Sequence, residues 1–457
     1  MPALNTALFS ALQALMAQQA ALDVTTNNIA NANTPGYARQ VPVFQEGAPV
    51  LDGSLYFGSG VNLTDVQSVR DQLLDLRIQQ ETTQQSNADT QLNALQEIEP
   101  LFTSNGQDIG PELTAFFSSI SALSTTPTDS SLRQSVISAG QNLVNAFHTT
   151  ASGLTQVQNG LDLQVASDVD QINQLTQQIA SLNSQLASLK ANGQDGGTLQ
   201  DQQNQLILQL SKITDVHITQ TDNGETLTTG NGIALVAAGQ SLPLTVTLGS
   251  DGKQHIVAQG QDITSSLTGG SLGGELNMRD QVIPQIMGQL DSLTSDFATQ
   301  FNQAQTSGYD AKGDPGQAFF TITSTGAASN IQLAFTDPAL IAASSDQNAP
   351  GSNGNIANLL AVQDIPLSSG KSPVQSYASL VFAVGNYTSN AQAESDATAA
   401  SLQQLNNQQG AVSGVSINEE ATNMLRYQQG FEAAARVIST INQMITVALN
   451  LGNSQTF

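Results

Sequence analysis

Both ends of the chain carry the same constraint: an apolar row repeating every seven residues on a segment with a long uncharged stretch. At the N-terminus the row is Leu8, Leu15, Leu22 and Ile29, with Leu4 and Ala11 in a second row beside it. At the C-terminus it is Ile417, Met424, Phe431, Ile438 and Ile445, with Tyr427, Ala434, Ile441 and Ala448 adjoining. A seven-residue repeat keeps one side of a helix apolar along its length and marks a coiled-coil-like seam. Asp23 is the only charged residue from Met1 to Ala38, and none follows Arg436. A helix facing water normally carries Lys and Glu on its outer side. These helices carry Gln, Asn, Thr and Ala there. Neutral polar faces suit packing between chains, where every charge must be desolvated and paired. The spacing predicts two terminal helices that pair with each other and are covered by other subunits. Such a pair is marginal alone in water and orders as neighbours cover it, so folding is coupled to assembly.

Between the ends the pattern is helical with one interruption. Leu161, Val165, Ile172, Leu175, Ile179, Leu182, Leu186 and Leu189 alternate three and four apart. After a turn at 192–197 the spacing resumes with Leu199, Leu206, Leu210 and Ile213, which predicts an antiparallel helical hairpin. Further helices are expected near 67–100, 108–123, 130–158, 280–305 and 375–410. Residues 216–272 alternate apolar and polar, with hairpin turns at Asn223-Gly224, Asn231-Gly232 and Asp251-Gly252. A second β stretch is expected at 319–322 and 331–335. The fold class is therefore mainly α with a β insertion. Its expected parts are a paired terminal inner domain (1–40 and 414–457), a long-helix bundle body (41–214 and 273–413) and a small inserted β domain (215–272). Such nesting brings the two ends together at one pole.

Composition narrows the function. Of 457 residues, 37 are acidic and 12 basic, giving a net charge of −25. A uniformly acidic chain is repelled by phosphate, which argues against nucleic acid and against anionic membrane surfaces. No run approaches the 18 or so apolar residues of a membrane span, and the start lacks the basic region of a secretory signal. The chain has no Cys, hence no disulfide, thiolate nucleophile or Cys-based metal site. His148, His217 and His255 have no metal spacing, so no metal or cofactor is expected. Gly269-Gly270-Ser271-Leu272-Gly273 matches a serine-hydrolase elbow, yet no His follows His255, and a flexible boundary loop is expected there. Gly370-Lys371-Ser372 lacks the first Gly of a phosphate loop, and Asp310–Asp314 lacks the terminal Glu of a calcium loop, so both read as turns. Glu419-Glu420 reads as acid in a first helical turn, on a solvated face. No convergent catalytic set emerges, and the chain reads as a non-enzyme.

The thirteen residues Asn27-Asn28-Ile29-Ala30-Asn31-Ala32-Asn33-Thr34-Pro35-Gly36-Tyr37-Ala38-Arg39 resemble the N-terminal signature of the bacterial flagellar rod, hook and hook-associated proteins. Ser413–Glu420 followed by Met424-Leu425-Arg426-Tyr427-Gln428-Gln429 is similar to the hook-associated protein 1 branch. The Gly/Leu stretch 269–276 and Gly308-Tyr309-Asp310 also fit it. This chain has one small β insertion where larger members carry additional outer domains. The resemblance implies a homo-oligomeric ring between hook and filament, outside the cell, reached through the flagellar type III export channel without a cleaved signal. It implies three partners: the hook protein, a second hook-associated junction protein, and a cytoplasmic export chaperone on the C-terminal helix. The expected assembly residues are Leu4, Leu8, Leu15, Leu22, Ile29, Ile417, Met424, Phe431, Ile438, Ile441 and Ile445. Asn28, Asn31, Asn33, Pro35, Gly36 and Tyr37 form the family motif, with Pro35-Gly36 as the joint between inner and outer parts. The alternatives are a hook or distal rod subunit, which shares the end motifs, or a secreted adhesin or binding protein.

Overall fold

The computed structural model describes residues 2–34, 36–52, 55–103, 108–192, 196–221 and 224–453. The chain runs outward, folds at its far end and returns. Helix α1 (Pro2–Ala30) leads into β1 (Gln40–Glu46), β2 (Val50–Asp52), β3 (Leu55–Phe57) and β4 (Val61–Ser68). The body follows with α2 (Gln72–Ile98), α3 (Ile109–Leu123), α4 (Ser130–Ala191) and α5 (Gly197–Ile213). The β insertion holds β5 (His217–Thr221), β6 (Gly224–Thr228), β7 (Ala234–Ala237), β8 (Gln240–Ser241), β9 (Leu244–Leu248), β10 (Gln254–Ala258) and β11 (Gln261–Asp262). The return comprises α6 (Gly270–Asn277), α7 (Ile283–Thr306), β12 (Phe320–Thr321), α8 (Ala327–Asn330), β13 (Gln332–Leu333) and α9 (Ile356–Ala361). It ends in α10 (Pro373–Ser413) and α11 (Ile417–Asn453). The fold is thus mainly α with small antiparallel sheets, ordered β5-β6-β7-β8 and β9-β10-β11 in the insertion.

Two elements differ from the sequence expectation. The helix expected at 130–158 and the first arm of the hairpin are one helix, α4, of 62 residues, about 93 Å at 1.5 Å per residue. Asp129 caps it by accepting from Ser131 and Leu132 N–H, and no Pro interrupts it. The second difference is the antiparallel β1–β4 ribbon, which no expectation covered. Pro42 inside β1 obscures its alternation, because Pro counts against a strand. The hairpin turn expected at Asn223-Gly224 includes Asn223, which lies outside the described residues.

Burial explains the architecture. One core joins α3, the first half of α4, α7 and the start of α10 around tilted and edge-to-face rings: Phe116–Phe301 at 4.9 Å and Phe319–Phe320 at 4.8 Å. The second core joins the second half of α4 with α5, α6 and the β insertion. The hairpin's apolar stripe is therefore covered by the inserted sheets. Where the cores meet, Arg279 is fully buried and bonds Asp162 on α4 at 2.6 Å, Asp280 at 2.7 Å and the Gln254 carbonyl at 2.9 Å. That satisfies a charge that burial would otherwise make costly. Between α2 and α10 the seam is polar: Ser395 donates to Asp89, Thr398 to Gln85, and Gln409 to Asp75.

The Gly269–Gly273 stretch is not a flexible loop. It is the packed start of α6, and Ser271 donates to Asp168 at 2.6 Å. Gly270 sits at φ 68° directly against the Ile213 and Thr214 backbone, where a Cβ has no room. Gly370 closes the turn before α10, whose N-cap Ser372 forms a capping box with Gln375. Asp310 accepts the Lys312 and Asp314 amides, as a turn aspartate does.

Burial pushes the Glu275 carboxyl up to about 9, with Asp168 adding to it and Arg279 opposing. The folded state therefore holds a proton that the unfolded chain releases near pH 4.5, and stability falls as pH rises from there towards 9. Glu275→Gln removes that slope, so it should raise the melting temperature above wild type at pH 8 and leave it nearly unchanged at pH 4. In the aromatic core, Phe116→Ala should cost about 3–5 kcal/mol in urea unfolding.

Candidate assembly interface and its joint

Helices α1 and α11 pack antiparallel. Asn28 meets Glu420 at one end, and Gly430 lies against Gln18 further along. The buried side of α1 is Ala11, Ala17, Ala21, Val24 and Asn28, and that of α11 is Glu420, Tyr427, Ala434 and Ile441. The small residues let the helices approach closely. Of the residues expected at the assembly interface, Leu4, Leu8, Leu15, Leu22, Ile29, Met424, Phe431, Ile438 and Ile445 are half-buried along this seam. Ile441 is buried within it, and Ile417 is 55% exposed at the start of α11.

Sequence reasoning missed a different set. Phe9, Leu12 and Met16 form an exposed stripe on α1, and Leu425, Val437, Met444 and Val447 are exposed on α11. They belong to neither heptad row, so periodicity gave no signal for them; an apolar residue on a charge-free outer face was the available clue. Exposed apolar side chains gathered in patches mark interaction surfaces.

The motif residues build a joint at the inner end of this pair. The Asn28 amide donates to the Gln40 carbonyl at 2.8 Å and to Glu420 at 3.1 Å. Its oxygen accepts from Gln40 N–H at 2.9 Å and Tyr37 O–H at 2.8 Å. One side chain thus ties α1, β1 and α11 together. Glu420 is accordingly buried, not on a solvated face, while Glu419 pairs with Arg39 at 2.7 Å. The Arg39 N–H donates to the Ser413 carbonyl at 2.9 Å, linking β1 to the end of α10. Burial pushes the Tyr37 phenol up to about 12, with Asp201 and Glu420 adding to it. Asn31 donates to Asn27 and accepts from Thr34, closing the turn after α1, and Asn33 is exposed there. Pro35 lies outside the described residues. Gly36 has φ 76° and faces Gln205 on α5, and its carbonyl accepts from Arg70, which also pairs with Asp201 at 2.8 Å. The joint is therefore held by hydrogen bonds and ion pairs on both sides.

Nothing comparable gathers around the histidines. His148 contacts the Ile331 carbonyl, and His255, exposed on the β insertion, sits between Asp262 at 2.6 Å and Asp251 at 3.1 Å. Those hydrogen bonds, to Asp262 first, raise its pKa. Among the described residues no group of three or more His, Asp or Glu could hold a metal, and no helix is long and apolar enough to cross a membrane.

Comparison with known proteins matches three family descriptions. Residues 95–320 match the flagellar hook-associated protein FlgK helical domain. Residues 8–37 match a flagella basal body rod protein, and residues 408–451 match the C-terminal part of the basal body rod FlgEFG proteins. The chain is 27% identical to flagellar hook-associated protein 1 of Escherichia coli, over 98% of this chain and 100% of that protein. It is 28% identical to the Bacillus subtilis protein of the same name, over 97% of each. The E. coli alignment runs to 546 positions against 457 residues here. The flagellar hook junction protein FlgK from Burkholderia pseudomallei shares the fold, with a TM-score of 0.68 at 18% identity. That match covers 74% of this chain and 100% of the other.

Asn28→Ala should leave Tyr37, Gln40 and buried Glu420 without partners, at a cost of about 2–4 kcal/mol. The readout is hydrogen exchange, where protection should fall in α1 and α11 and hold in α3 and α7. Tyr37→Phe removes one bond and should cost about 1 kcal/mol.

Proposed function

The chain belongs to the flagellar hook-associated protein 1 family, and from that premise we propose that it builds the junction between flagellar hook and filament by packing its terminal helix pair against neighbouring subunits. It is a structural flagellar protein that associates with other axial components. The observation that supports this mechanism is the α1–α11 pair, whose outer faces expose Phe9, Met16, Leu425 and Met444 to solvent. Burying such side chains on assembly is worth about 1.5–3 kcal/mol each before ordering costs. Around Phe9 and Met16, and beyond Arg436 on α11, the neutral Gln, Asn and Thr need no charge desolvation. We read the half-buried rows Leu8–Ile29 and Met424–Ile445 as completing that contact once neighbours arrive.

The finer assignments are our proposals. The subunits form a ring; one side meets the hook protein and the other a second hook-associated junction protein. A cytoplasmic chaperone covers the exposed apolar side of α11 before export, since that surface otherwise favours aggregation. Export takes the flagellar route without a cleaved signal. The division into an inner domain (1–40 and 414–457), a body (41–214 and 273–413) and a β domain (215–272) is likewise a proposal. The Asn28 joint near the first boundary supports it.

Electron microscopy of cells lacking the gene, with the medium assayed for filament protein, tests the junction role. Hooks without filaments, and filament protein shed into the medium, are expected. Absent hooks would instead indicate a hook or rod subunit, and normal flagella would refute the assignment. For coupled folding, circular dichroism of the free chain should show terminal helices melting before the body; a single cooperative transition would overturn it.

A further inference from the structure

The β1–β4 ribbon is the part of the inner region that the functional reading leaves unused. It lies along α1. The seven residues of β1 span about 23 Å, as does the stretch of α1 from Asn28 back to Gln13. At its far end Gly60 packs on Ser10 and Gln13, so Glu46, opposite Val61, stands level with that part of α1. Beyond it, the β2–β3 pair exposes Leu51 and Tyr56, cross-strand partners on one face, with Tyr56 72% exposed. With Phe9, Leu12 and Met16 on α1, these make an apolar surface whose charges are acidic. No basic residue occurs between Arg39 and Arg70.

The other side of the pair carries two exposed arginines, with Glu432 at its edge. At 100° per residue, Leu425, Arg426, Arg436, Val437, Met444 and Val447 fall on one arc of α11, away from the Tyr427–Ile441 seam. All are exposed, and Arg436 is the only charged residue from Ala433 to Asn453. Neither Glu46 nor Arg436 forms an ion pair within its own chain among the described residues. The two also match in height. The antiparallel register that sets Asn28 by Glu420 and Gln18 by Gly430 sets Leu12 by Arg436. Glu46 stands at that same level.

We propose that one ribbon face of one subunit, Leu51 and Tyr56 with Glu46, docks onto the exposed α11 face of a second copy, Leu425, Val437 and Met444 with Arg436. The proposal rests on the junction reading and adds the pairing of surfaces. Two different patches meet, so the contact is heterologous and repeats around an axis, closing into a ring or winding into a helical layer. The apolar residues supply the burial, and the opposed charges set which copy face meets which and at what height.

Full-length protein carrying Tyr56→p-benzoylphenylalanine, expressed in the deletion strain, tests it in isolated flagella. Ultraviolet light should give a covalent dimer of this chain whose link maps within 425–447. A link to another flagellar protein, a link elsewhere in the second copy, or no link in flagella that assemble would each overturn the docking. A charge exchange keeps the test open if that variant fails to assemble. Glu46→Arg alone and Arg436→Glu alone should each reduce filament-bearing hooks several-fold, and the double variant should restore them. No restoration in a double variant that keeps wild-type circular dichroism counts against the proposal. The unmodified chain is the control that separates the two readings. If it does not restore filaments, the junction role fails; if it does while the link maps elsewhere, only the docking fails.

Discussion

Asn28 and Glu420 are 392 residues apart in sequence, and their hydrogen bond closes the whole chain into one loop. Closing a flexible loop of that length costs on the order of 5 kcal/mol, more than a few polar contacts return. The body removes most of that cost. Helices α2 and α10 lie side by side, and α1 and α11 emerge from their inner ends already close. The terminal pair therefore depends on a body that folds first, and the Asn28 joint converts that nearness into a fixed direction. Every surface offered to a neighbour inherits its orientation from this joint.

The two cores divide the mechanical work. Edge-to-face and tilted phenylalanines fill the first core, and α4 runs through both. Buried Arg279, held by Asp162, Asp280 and the Gln254 carbonyl, fixes the β insertion against it. The α2–α10 seam adds hydrogen bonds from Ser395, Thr398 and Gln409 to the apolar packing at its outer end. The terminal pair is held by small residues such as Ala17 and Ala21. A body with two large cores on a helix pair that leaves Phe9, Met16 and Met444 exposed suits a subunit that gains much of its inner burial from neighbours.

Much of this was legible in the chain itself. Heptad rows located α1 and α11, three-and-four spacing located the hairpin, and alternation with Asn-Gly and Asp-Gly turns located the β insertion. Charge depletion at both ends pointed to assembly, and the motif around Asn28 pointed to the family. The β1–β4 ribbon was obscured by Pro42 and its short strands. Glu420 looked like a solvated acid because its partner, Asn28, is at the other end of the sequence. Gly269–Gly273 looked flexible because glycine permits both mobility and close approach, and only the packing against Ile213 and Thr214 decides between them.

Sequence alone determined the fold class, the helical periodicity, the missing charges and the absence of Cys chemistry, because these are local or additive properties. Which face of each terminal helix stays open was decided by tertiary structure. A heptad row states that one side of a helix is apolar, not what covers it. Antiparallel pairing placed Ile441 inside the pair and left Met444, about 60° round the helix from it, outside.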